Sequence, residues 1–411
     1  MSLVADPVTG ALFWLVVAMV WFQARRQAQT EQQLWGVVKN PALSRTATAI
    51  IFGIAGGLVG SLALSYLGVP FTETSADFLY LWVAALALSL LHPRFICFSY
   101  GAGLLGAATL LFGWPGIGVP QVTALVAVLH LVEATMIWLD GGTSASPILV
   151  RRPGGDVVGG FSLQRFWPVP LTLLLASAHL VAGGQTVPTP GWWPLIRIPG
   201  PLGADPNAIL ALVPVVAGVG YSDLAIAEGV PAKVRRSAGR LALYALILLG
   251  LSLLADRTLP GAWAAVLFSP LGHEWVVWSE ARREQRGRAH WQLTGRGVRI
   301  LDVLPGTPAA AAGLVSGSLL LTVDGQPVAS RDELREALHT SPSYCSLSFE
   351  SPGFQAAVTR RLPAAVKDEG EMGLVLVPEP DEQPMWQMSS RGFLGRWLEQ
   401  ALGRLRRGIA G

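Results

Sequence analysis

Apolar runs close to the length of a bilayer crossing recur through the first 280 residues, and they restrict this chain more than any other feature. They fall at about 8–22, 47–68, 78–91, 95–113, 120–139, 167–183, 207–224, 240–255 and 262–278. A spanning helix needs roughly 17–25 largely apolar residues, so several runs are short for a straight crossing, and eight or nine crossings are expected. The chain is 51% hydrophobic and only 14% charged, too apolar for a soluble protein of 411 residues. The reading is a polytopic α-helical membrane bundle over 1–280. The N-terminal stretch carries neither a basic leader nor a small-residue cleavage site, so 8–22 reads as a retained span.

Charges in the connecting loops set an orientation. Arg25, Arg26, Lys39 and Arg45 follow the first run, Arg94 sits in the tight turn His92-Pro93-Arg94, and Arg151, Arg152 and Arg165 follow the fifth run. Lys233, Arg235, Arg236 and Arg240 follow the seventh, whereas the alternate loops hold only Arg197 and Arg257 beside Glu73, Asp77 and Asp205. By the positive-inside rule the N-terminus lies outside a cell membrane and everything after residue 280 is cytoplasmic, which closes with nine crossings. A net charge of +3 gives no support to nucleic-acid binding. Cys97 and Cys345 are too few for a disulfide framework or a cysteine zinc site.

Ionisable residues inside apolar runs are functional candidates by default. His273-Glu274 begins the pattern His-Glu-x-x-His, in which two histidines one turn apart hold zinc and the glutamate is the general base. The second histidine position is Val277, which cannot ligate. His130 and Glu133 share a face of the fifth run, and His179 lies in the sixth; they read as a hydrogen-bonded cluster locking neighbouring helices, with a transporter or metal site as the alternative. Gly53, Gly56, Gly57 and Gly60 form two overlapping Gly-x-x-x-Gly pairs, for close packing within the bundle or for a homo-oligomer. No catalytic residue, metal or cofactor is assigned.

After residue 280 the composition turns soluble. Val298, Ile300 and Val303 alternate along a strand that ends at Pro305-Gly306. Pro308 opens a short alanine-rich helix that Gly313 stops, and 319–323 is a strand closed by the turn Asp324-Gly325. Ser330 to Glu333 is a capping box for a helix whose Leu334 and Leu338 face the core, and strands follow at about 344–350 and 355–362. The motifs Pro305-Gly306-Thr307-Pro308-Ala309, Ala312-Gly313-Leu314 and Val323-Asp324-Gly325-Gln326-Pro327 resemble a bacterial PDZ domain, a small α+β unit over 290–378. The chain departs from that pattern at Gly317-Ser318, where the family usually has Gly-Asp. The resemblance implies peptide binding along a strand edge. Gly373, Leu374, Val375 and Leu376 are the first candidate for the carboxylate-binding turn, Gly297 and Val298 the second, and the helix with Leu334 and Leu338 is the opposite wall.

A linker over 379–390 precedes 391–409, where apolar residues recur at helical spacing opposite Arg396, Arg406 and Arg407, with Trp397 beside them. This segment reads as a basic amphipathic helix, either on the inner leaflet or docked on its own domain. Site-2 metalloproteases also join spans to a PDZ domain and use a Leu-Asp-Gly aspartate, and Leu139-Asp140-Gly141 is present here. The order of those motifs is reversed, and Val277 removes a ligand. The architecture, with His92-Pro93-Arg94-Phe95, Gly159-Gly160-Phe161 and Trp167-Pro168-Val169-Pro170, resembles the MinJ-type division-site proteins. That resemblance implies a non-enzymatic adaptor linking the scaffold DivIVA to the division inhibitor MinD. The alternatives are a transporter or sensor with a regulatory PDZ domain and, last, a degenerate protease.

Overall fold

A computed structural model describes residues 7–72, 77–178, 188–205, 208–341, 344–353, 357–363, 368–379, 382–383 and 386–387. Its first half runs α1 (Pro7–Trp35), α2 (Ala42–Leu67), β1 (Pro70–Thr72), α3 (Asp77–Leu91), α4 (Phe98–Phe112), α5 (Val119–Asp140), β2 (Ser146–Arg151), β3 (Val157–Ser177), β4 (Ile209–Ala225), α6 (Val230–Ala255) and α7 (Leu259–Arg286). Among the described residues, α2, α5 and α6 are long and apolar enough to cross a membrane, and α3 and α4 are shorter apolar helices. α5 is the centre of the bundle, buried along most of its length.

Two of the nine apolar runs are not helices. Of the stretches 167–183 and 207–224, expected as spans, residues 167–177 and 209–224 belong to the long antiparallel pair β3–β4, in register from Phe161↔Ala225 to Ser177↔Ile209. The reason is local: Pro168, Pro170 and Pro214 each lack the amide hydrogen that a helix interior needs, and Val213, Val215, Val216 and Val219 favour extended backbone. Strands covered on both faces read as continuous apolar runs, so periodicity alone does not separate them from helices.

An unpaired strand edge is costly in an apolar layer, and the second edge of β3 is covered piece by piece. β2 pairs antiparallel with 157–162 and β1 pairs parallel with 174–176. Between them lies the middle of α2. A Cβ on Gly53 or Gly57 would overlap the carbonyl oxygens of Pro168 and Pro170, so only glycine lets the helix come this close. The two prolines have no N–H to leave orphaned, and the amide of Thr172 donates to Ser61 Oγ at 2.9 Å. Gly56 packs on Val132 and Met136 of α5, and Gly60 on Leu171 and Val132. All four glycines are therefore occupied within the chain, and the Gly-x-x-x-Gly pairs offer no free dimer face.

Many of the loop cations counted above are built into the fold. Arg165 pairs with the fully buried Asp140, whose Oδ2 also accepts from Trp167 Nε1 at 2.8 Å while Oδ1 accepts from Thr143 Oγ1 at 2.7 Å. Arg45 pairs with Glu31. Lys233 is fully buried among Asp223 at 2.8 Å, Glu280 at 2.7 Å and Glu284 at 3.4 Å, and Arg236 and Arg240 close on the same acids.

The second half folds as β5 (Val298–Val303), α8 (Pro308–Ala311), β6 (Leu319–Val323), β7 (Gln326–Pro327), α9 (Arg331–Thr340), β8 (Tyr344–Glu350), β9 (Val358–Pro363), α10 (Glu369–Met372) and β10 (Leu374–Leu376). The sheet order is β10-β5-β6-β8-β9, with β7 on β6. Ser330 caps α9 by accepting from the Glu333 amide, and Asp324-Gly325 turns with both residues at positive φ. Leu374, Leu376 and Ile300 fill the core of this domain, whereas Leu301, Leu304, Val375 and Val377 point the other way into the main core with Leu149, Phe161 and Trp291. Lys39 of the α1–α2 loop reaches Asp302 at 2.5 Å; burial pushes the Asp302 carboxyl up, against the pull of the lysine. A final short strand, β11 (Trp386–Gln387), pairs in parallel with Val150 and Arg151 of β2, so part of the expected linker joins the first sheet. The basic segment 391–409, with Arg396, Trp397, Arg406 and Arg407, lies outside the described residues, as does His179.

Candidate peptide-binding groove

β10 is an edge strand. Among the described residues it pairs only with β5, in the register Leu374↔Val303 and Val375↔Asp302. Facing its free side is α9, and between them lies a cavity of about 290 Å³. Its walls are Leu374, Val375 and Leu376 of β10, Arg331 and Arg335 of α9, and Asp368, Glu369 and Gly370 of α10. Leu34 and Trp35 at the end of α1 and Leu149 of β2 complete it. The groove is thus composite, because the outward face of β10 is also the face by which the domain docks on the bundle.

Charge crosses the mouth. Arg335 donates to both oxygens of Glu369, at 2.9 and 2.5 Å, and these hydrogen bonds hold its guanidinium still more firmly charged. Arg331 lies 3.7 Å from Glu369 and 2.8 Å from Glu382, while its amide donates to Glu379 at 3.1 Å. The chain leaving the domain therefore straps one end of the groove with two carboxylates. A ligand carboxylate would meet two guanidiniums whose present partners are the carboxylates of Glu369 and Glu382.

Four of the expected groove residues, Gly373, Leu374, Val375 and Leu376, lie together at this place in the fold. Gly373 has φ +79°, and a Cβ there would collide with the Thr307 side chain, so its substitution strains the domain as well as the turn. The turn's amides are partly used already: Glu371 N donates to Asp368 Oδ1, Met372 N to Asp368 O and Gly373 N to Gly370 O. Gly297 packs against the Leu320 carbonyl and Val298 pairs with Leu320, on the β6 side of the sheet and not among the cavity's walls. Leu334 and Leu338 belong to the domain core, and α9 turns Arg331 and Arg335 to the groove. The apolar stripe of α9 points to Leu334 and Leu338 and not to these arginines. Their signal was an Arg pair at i and i+4 on the polar face, followed downstream by Glu369, Glu379 and Glu382.

The protease-like motifs are held apart. Glu274 accepts from Tyr100 Oη at 2.7 Å and pairs with Arg94 at 3.0 Å, and His273 Nδ1 lies 3.3 Å from the same tyrosine oxygen. His273 packs on His130 of α5, ring centres 5.3 Å apart. Asp140 lies ten residues further along α5, about 15 Å of helix away, and is held by Arg165. The aspartate of Leu-Asp-Gly is a structural anchor here.

A PDZ domain model matches residues 299–345. The cell division topological determinant MinJ of Bacillus subtilis is 24% identical over 334 residues, covering 80% of this chain and 80% of that one. A probable cell division topological determinant MinJ of Lacticaseibacillus paracasei is 25% identical over 400 residues, covering 92% and 98%. Its homologues are named MinJ. The similarity to the MinJ proteins extends over the first half and the PDZ domain together. The PDZ domain of an SdrC-like protein from Listeria monocytogenes is also matched, at 21% identity, over 21% of this chain and 93% of that one, with a TM-score of 0.17.

Proposed function

We propose that the protein is a membrane-anchored, non-enzymatic adaptor in division-site placement, recruiting protein partners through the groove between β10 and α9. The observation that carries this reading is a strand edge with no neighbouring strand among the described residues, facing a helix that presents two arginines, in a chain whose homologues are named cell division topological determinants. An extended peptide adds to β10 by backbone hydrogen bonds, each contributing about 0.5–1.5 kcal/mol net. Its acidic end competes with Glu369 and Glu382 for Arg331 and Arg335. By the MinJ resemblance the partners are DivIVA and MinD, and the groove faces the cytoplasm. The anchoring elements are α2, α5 and α6, with the basic tail 391–409 adding contact to the inner leaflet.

The test is Arg331→Glu with Arg335→Glu. Arg335 is half-exposed and Arg331 about a fifth exposed, so circular dichroism and thermal melting first establish that the variant is folded. The variant should insert and fold normally yet lose recruitment of fluorescent MinD and DivIVA to mid-cell and their capture by cross-linking. Unchanged recruitment by a folded variant would place recognition outside the groove.

A further inference from the structure

Three side chains that the groove does not use meet between α4, α5 and α7. Cys97 precedes the first turn of α4, His130 sits in the middle of α5 and His273 in α7. One donor atom from each lies within 4.8 Å of the other two, and Cys97 Sγ is 3.2 Å from His130 Nε2. A three-coordinate ion with bonds of about 2.0–2.3 Å holds its donors roughly 3.5–4 Å apart. The trio brackets that spacing.

Partners fix where the ring protons sit. His130 Nδ1 is 2.7 Å from the Val126 carbonyl oxygen, which only accepts, so Nδ1 carries a proton and Nε2 faces the sulfur. Tyr100 has one hydroxyl proton and donates it to Glu274, the carboxylate that Arg94 also pairs. The tyrosine oxygen is therefore the acceptor for His273 Nδ1–H, leaving Nε2 of that ring as its donor atom. Anchoring the second ring proton on a carbonyl or a carboxylate relay is how metal-binding histidines are oriented. Tyr244 stands edge-on to both imidazoles, at 5.3 and 5.7 Å, and its hydroxyl is tied to the Ser269 carbonyl, so the site has an aromatic wall.

We propose that Cys97, His130 and His273 bind one copper(I) ion. The donor set, one thiolate and two imidazoles, suits copper or zinc. A zinc site with three protein donors keeps an open fourth position for water, whereas three donors complete a site for copper(I), an ion that soft thiolates select. Binding replaces the proton shared between Sγ and Nε2, which leaves to solvent, one per ion.

The experiment uses full-length protein in nanodiscs under anaerobic, reducing conditions, with copper(I) delivered from a chromophoric chelator. The expected result is one copper(I) per chain, one proton released, and sulfur and nitrogen neighbours in the copper X-ray absorption spectrum. Cys97→Ser, His130→Gln and His273→Gln should each weaken binding at least tenfold, and Tyr100→Phe, which keeps all three donors, should weaken it less. Cys345→Ser, at the one other cysteine, should leave it unchanged. No retention by the unsubstituted protein, equal retention by a folded Cys97→Ser variant, or binding of zinc in preference to copper would overturn the proposal.

Discussion

Asp140 offers the sharpest test of how this fold is held. It is fully buried and accepts four hydrogen bonds, two from Arg165, one from Trp167 and one from Thr143. Asp140→Ala leaves the Arg165 guanidinium, itself 4% exposed, with only the neutral acceptors Thr48 Oγ1 at 2.9 Å, Ser144 Oγ at 3.1 Å and the Arg45 carbonyl at 3.4 Å. Stranding one partner of a buried ion pair costs about 3–5 kcal/mol. The orphaned indole N–H adds about 1–3 kcal/mol in isolation, but neighbours in one network do not add. The expected loss is therefore about 4 kcal/mol, near a thousandfold in the folded-to-unfolded ratio. Asp140→Leu with Arg165→Met removes both charges and leaves chiefly the indole, so it should recover at least about 2 kcal/mol of that loss. The assay is denaturant unfolding in mild detergent, followed by tryptophan fluorescence. A loss below about 1 kcal/mol for Asp140→Ala, or a double variant no more stable than the single one, would refute the reasoning.

Gly57→Val drives a branched side chain into the Pro170 carbonyl and should destabilise the protein by about 2–3 kcal/mol or block its accumulation, whereas Gly250→Ala, where nothing lies within 4 Å, should be neutral or stabilising by up to about 1 kcal/mol. Thermal melts of the two proteins compare them directly, and equal behaviour would remove the glycine argument. Lys39→Met leaves Asp302 without its partner and should loosen the PDZ domain from the bundle, read as severalfold faster protease cleavage in the connecting segment 287–297. Unchanged cleavage would mean that Leu301, Leu304 and Val375 hold the interface unaided.

The PDZ domain was legible because its elements carry local signals: Pro308 and Gly313 bound α8, Asp324-Gly325 turns the chain, and Ser330 caps α9. The helices α2 and α5 were legible from length and apolarity. The β3–β4 pair was not: β3 is covered along most of both faces and β4 is built almost wholly of apolar and small residues, so neither shows a clear alternation of apolar and polar residues, and only Pro168, Pro170 and Pro214 with their valine neighbours spoke against helix. At the groove, β10 was visible through Gly373, but α9 was read by its core face, Leu334 and Leu338. The binding side of an amphipathic helix is its polar one when the apolar one already closes a core. Nothing in the spacing of Cys97, His130 and His273 brings them together; three separate helices do.

The β3–β4 pair also governs how such a chain can be made. A helix satisfies its own backbone and can enter the bilayer alone, one segment at a time. β3 cannot: half of its backbone groups need β4, which is synthesised only after the intervening residues 178–208, and the rest need β2, β1 and the glycine face of α2. Between the emergence of Ser177 and that of Ala225, β3 therefore lacks the partner that takes up half of its backbone groups. Pairing of 161–177 with 209–225 is a late folding event on a platform of earlier elements, and a chain stopped within that window exposes an open apolar strand.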